Sequence, residues 1–143
     1  RSFHVTGVQT CALPILPVSQ HAMRVYGEIT YHDFEGPALD MGERKRLAKD
    51  LGPTSRALIL RNHGLLTVGA SVREAFEFMY YMDCACQIQV DAMSGGMENV
   101  LSMSKDAELA SHKSFNRPNR LAVTKDWPAL LRMLDRRGIQ YAV

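Results

Sequence analysis

The period of the hydrophobic pattern changes along the chain, and each change predicts an element. Ser19 to Met23 fits a short helix or an irregular approach. Val25 to Tyr31 mixes β-branched and aromatic residues and predicts a strand. Phe34-Glu35-Gly36-Pro37 reads as a loop. Glu43 to Leu51 sets Leu47, Ala48 and Leu51 on one side of a short charged helix. Asp40 and Glu43 form a capping-box-like start, and Gly52-Pro53 stops it. Ala57 to Leu60 is a continuous apolar run, as in a strand buried on both faces, and Leu65 to Val68 predicts the next strand. Asn62-His63-Gly64 between them supplies the backbone angles of a tight connection.

Ser71 and Glu74 make an S-x-x-E capping box that opens a long helix ending near Ser94 at Gly95-Gly96. Along it Val72, Ala75, Phe76, Met79, Met82, Cys86, Val90 and Met93 recur at three- and four-residue steps. With Phe78, Tyr80 and Tyr81 widening that surface, the helix is expected to be buried on most sides. A weaker amphipathic helix follows over 105–117. Asp126 is placed to cap a last helix carrying Leu130, Leu131 and Leu134 on one side, with Pro128 in its first turn.

Composition narrows the function classes. Hydrophobic residues make up 46% and charged residues 22% of 143 positions, ordinary for one globular domain. A net charge of +2, with basic clusters only at Arg44-Lys45-Arg46 and Arg136-Arg137, argues against nucleic acid or a membrane surface. No apolar run is long enough to span a bilayer. Cys84 and Cys86 sit two apart on a helix and point to different sides, so they form no CxxC pair and read as reduced thiols of a cytoplasmic protein.

Val5 to Ile15, VTGVQTCALPI, matches at every position the translation of a common short-read sequencing adapter. On that reading residues 1–15 lie outside the fold, the genuine chain begins near Leu16, and His4 and Cys11 carry no chemistry.

The candidate chemistry is His63, in 57-ALILRNHGLLTVG-69. Taken alone, a histidine at the end of a buried strand is either a hydrogen-bonded structural residue or a ligand, and strand ends of α/β sheets are where sites gather. No histidine pairs as H-x-H or H-x-x-x-H anywhere in the chain.

YHDFEGPALD and ILRNHGLLTVGASVREAFEFMYYMDCACQIQ together resemble the second half of a class II aldolase/adducin domain, with WPALLRMLDR a looser match. The resemblance implies an α/β fold: the C-terminal portion of an α/β/α sandwich with a central, largely antiparallel sheet. The partial domain is 16–143, with its core over 16–96 and a helical tail over 105–143. The resemblance also implies a metal-dependent, aldehyde-lyase-like parent that cleaves a carbon–carbon bond of, or epimerises, a small hydroxylated substrate, phosphorylated ones included, through a metal-stabilised enediolate. The metal is zinc, held by an H-x-H pair in the first half and by the histidine matching His63. Asn62 is a turn residue or a neighbour of the metal shell. A homo-tetramer is implied, with no nucleic-acid or membrane partner. No catalytic residue of the first half matches this chain, and substrate-binding residues are not readable from it. Tyr141 and Arg61 are weaker candidates, for an interface proton donor and an anion contact. The chain alone is expected to be inactive. Adducins carry the same domain as a non-catalytic binding and scaffold module, which is the competing reading. The third reading is a truncated open reading frame without a function of its own.

Overall fold

The computed structural model describes residues 13–36, 41–117 and 125–141. Asp40, His4 and Cys11 lie outside them, so the expected cap at Asp40 and the setting of those two side chains are not described.

Three strands form one mixed sheet: β1 (Ile29–His32), β2 (Ala57–Leu60) and β3 (Gly64–Thr67). The order is β1-β2-β3, with β1 and β2 parallel and β2 and β3 antiparallel. β1 starts later than Val25. A 3-10 turn at Ala22–Arg24 carries Val25 into the core instead, and Tyr26 N–H donates to the Ala22 carbonyl at 2.8 Å. Val68 falls just outside β3, yet its N–H still donates to the Arg56 carbonyl at 2.9 Å.

Helices cover both faces of the sheet. Helix α1 is Glu43–Leu51 and helix α2 is Val72–Met93. Side chains alternate along a strand. Ile29 and Tyr31 of β1 and Ile59 of β2 therefore turn towards Phe78, Met82 and Cys86 of α2. His32 turns the other way and meets Asp50 of α1. Helices α3 (Lys105–Phe115) and α4 (Asp126–Arg136) follow. Both α1 and α2 end or begin as the sequence demands. Gly52 closes α1 at φ 68, where a side chain would be strained. Ser71 Oγ accepts the Glu74 N–H at 3.2 Å at the start of α2, while the Glu74 carboxylate accepts from Ala70 N–H at 2.8 Å.

The buried line of α2 runs through Phe78, Met82, Ala85, Cys86 and Gln89, rotated from the expected stripe. Val72 is 79% exposed and Phe76 and Tyr80 are also exposed, so one side of α2 stays open. The core meets the helix along the Phe78 line, where Arg56 of the β2 entry also stacks on Phe78, 4.6 Å from its ring centre. Trp127 of α4 covers part of the open side, 5.7 Å from Phe76. Asp126 is the first residue of α4 and caps nothing through its side chain, so it favours the helix only by its charge at the positive end. Cys84 is half-buried and Cys86 buried, both free thiols.

Ile15 lies in the core at 6% exposure, inside the segment that the adapter reading sets apart. Its N–H donates to the Tyr31 hydroxyl at 3.0 Å, and Gln89 binds the residues on both sides of it. No helix among the described residues is long and apolar enough to cross a membrane.

Candidate functional site at the ends of β1 and β2

Because β1 and β2 run parallel, their C-terminal ends come out at the same edge, where open α/β sheets place ligands. His32 pairs with Leu60 there, and Arg61 N–H donates to the His32 carbonyl at 2.9 Å. The chain then reverses in a tight turn, with His63 N–H on the Leu60 carbonyl at 3.0 Å. Asn62 makes that turn possible. It stands at φ 59, a left-handed conformation that asparagine tolerates better than other side-chain-bearing residues. The turn thus sets Asn62 and His63 on the surface, both exposed. The His63 ring meets Phe34 edge-on, with centroids 6.4 Å apart.

His63 offers a metal one ligand. A catalytic zinc site takes three protein ligands, so the residues described here do not make one around His63. Arg61 is occupied: its guanidinium pairs with Asp33 at 2.9 Å and lies 5.0 Å from the Tyr31 ring centre. Tyr141 is also tied down. Its hydroxyl donates to Asp135 at 3.1 Å, and that carboxylate raises the phenol above its ordinary pKa.

A second group at this edge was not anticipated from the sequence. His32, Glu35 and Glu43 bring one ligand atom each to within 4.8 Å of one another. His32 is 4% exposed. Its Nδ1 stands 2.7 Å from Asp50 Oδ2, and its Nε2 faces Glu35 and Glu43 at 3.8 Å each. A polar cleft of about 440 Å³ opens onto His32, Glu35 and Asp50, with Arg46 and Lys49 on its wall. The signal was present in the spacing. Glu43 and Asp50 lie two helical turns apart and so share the face of α1 that meets His32.

Helices on both faces of a small mixed sheet, with polar groups gathered where two parallel strands end, define an α/β sandwich with a site at its edge. The model of the Class II Aldolase and Adducin N-terminal domain matches residues 1–90, and the chain belongs to that family. A Caulobacter vibrioides protein named for aldolase class 2 is 40% identical over 128 residues, covering 90% of this chain and 49% of that one. Alpha-adducin of Rattus norvegicus is 38% identical over 135 residues, covering 87% of this chain and 18% of that one. The crystal structure of an aldolase II superfamily protein from Pseudomonas syringae superposes with a TM-score of 0.84 at 37% identity, covering 94% of this chain and 54% of that one. The chain thus spans about half the length of its bacterial relatives and a smaller share of alpha-adducin.

Proposed function

We propose that this chain is part of a metal-dependent class II aldolase-like lyase, cleaving a carbon–carbon bond of, or epimerising, a small hydroxylated substrate, phosphorylated ones included. The observation that carries the reading is His63. It is exposed at the tip of a turn at the edge where the parallel strands β1 and β2 end, within the segment that the family model matches. In the longer protein His63 supplies one ligand of a divalent ion, zinc by expectation, and the other ligands come from residues this chain does not contain. Asn62 holds the turn that presents it. The chain by itself is then inactive. A homo-tetramer acting in the cytoplasm belongs to the same reading.

The test is to prepare the longer protein and its His63→Ala variant, and to measure bound metal and retro-aldol cleavage across a panel of hydroxylated aldehydes and ketones. Loss of one bound ion per chain together with loss of cleavage in the variant supports the reading.

The second reading is an adducin-like scaffold without catalysis. The 38% identity to alpha-adducin favours it. A longer protein that binds no metal but captures a protein partner would favour it over the lyase.

A further inference from the structure

We propose that His32, Glu35 and Glu43 form a divalent-cation site, separate from the ligand position at His63, that clamps the end of β1 to the start of α1.

The first support is an orphaned atom. The His32 side chain is 5% exposed, and its buried Nε2 has no hydrogen-bond partner. The two carboxylate oxygens it faces stand at 3.8 Å, beyond hydrogen-bond reach. Buried nitrogens are rarely left so. The separation is instead close to the roughly 3.3 Å between ligands around a tetrahedral ion bound at about 2.0–2.1 Å. A shift of about half an ångström by each flexible carboxylate brings it to that distance from Nε2, and the three ligand atoms already lie within 4.8 Å of one another.

The second support is the other ring nitrogen. Metal-binding histidines give their remaining N–H to a carboxylate, which fixes the tautomer and turns the bare nitrogen to the metal. Asp50 Oδ2 stands 2.7 Å from His32 Nδ1, the distance such a bond requires. In the tautomer that carries its proton on Nδ1, Asp50 acts as a positioning residue and the Nε2 lone pair faces Glu35 and Glu43.

Charge agrees. The carboxylates of Glu35, Glu43 and Asp50 stand around the His32 ring, and the Arg46 guanidinium is hydrogen-bonded to Glu35 at 2.8 Å. Three carboxylates against Arg46 and the exposed Lys49 leave an excess of negative charge, which favours a cation. Arg61 is held by Asp33, and Lys49 stands on the exposed wall of the cleft. Glu35 keeps lone pairs for an ion while it accepts from Arg46. One imidazole with two carboxylates suits zinc or manganese and not a thiolate-seeking ion. The cleft of about 440 Å³ opens onto His32 and Glu35, two of the three ligands, and gives waters a path to the ion. Bound there, the ion ties Glu35 of the loop after β1 to Glu43, the first residue of α1.

The test is equilibrium dialysis of the metal-stripped chain against Zn²⁺ and against Mn²⁺, with circular dichroism to confirm each variant is folded. The expected result is one saturable ion per chain. Glu43→Gln, which keeps the side-chain shape, is expected to weaken it at least about tenfold, and Asp50→Asn about 10- to 100-fold. His63→Ala is expected to leave it unchanged. Absence of saturable binding in the unaltered chain overturns the proposal. So does full affinity in Glu43→Gln, or loss of binding in His63→Ala, which would move the ion to the other histidine.

Discussion

The Gln89 side chain, buried on α2, donates its amide N–H to the Pro14 carbonyl at 2.9 Å, while its amide oxygen accepts the Leu16 N–H at 2.7 Å. One side chain thereby satisfies two backbone groups of a segment far away in sequence. Replacing it with leucine keeps the volume and leaves both groups without partners. Gln89→Leu is expected to cost about 1–3 kcal/mol for each group that stays buried and unpaired, read from urea unfolding. A change below about 0.5 kcal/mol, the ordinary range of a surface substitution, would mean that residues 14–16 are not held on the folded chain.

The left-handed turn at Asn62 separates its structural role from a role at the metal. Glycine accepts φ 59 without strain, so Asn62→Gly is expected to leave stability within a few tenths of a kcal/mol. Asn62→Val is expected to lose about 1–2 kcal/mol. In the longer protein Asn62→Gly should also keep its metal affinity. A drop in affinity without a drop in stability would assign Asn62 to the metal shell.

Arg56 joins three elements. Its guanidinium pairs with Glu28 ahead of β1 at 3.1 Å and with Glu74 in the first turn of α2 at 2.6 Å, and it stacks on Phe78. Desolvation lowers its pKa, but the hydrogen bonds it donates to Glu28 and Glu74, with their charges, outweigh that and raise it. A raised folded pKa means the contribution is fully present below the ordinary arginine value and is lost only above it. The group therefore adds no pH dependence near neutrality. Arg56→Met is expected to cost about 1–3 kcal/mol, since it takes the cation from the half-buried Glu28 and Glu74 carboxylates and loses the hydrogen bonds to both. Equal stability of variant and parent in thermal unfolding would show the network to be idle.

Much of the fold was readable because local chemistry decided it. The capping box at Ser71 and Glu74, the Gly52 stop and the apolar Ala57–Leu60 run specify their elements without help from distant residues. The α2 stripe was misplaced because periodicity counts apolar residues and cannot say which of two apolar faces meets the sheet. Glu77 and Gln89 are buried there while Val72 is not. At the candidate site, His63 stood out because it breaks an apolar run. His32 did not, because its partners Glu43 and Asp50 come from a helix that the sequence reads as merely charged. Only the fold brings that helix over the end of β1.

The most direct test of the lyase reading is the metal content and carbon–carbon cleavage activity of the longer protein with and without His63. The account predicts that His63→Ala, with His32, Glu35 and Glu43 intact, loses the catalytic ion. It also predicts that cleavage falls by at least about 10³-fold, the several kcal/mol that Lewis-acid stabilisation supplies. Unchanged metal content and unchanged cleavage in that variant would contradict it, and would leave His63 as a turn residue of a family member that works in another way.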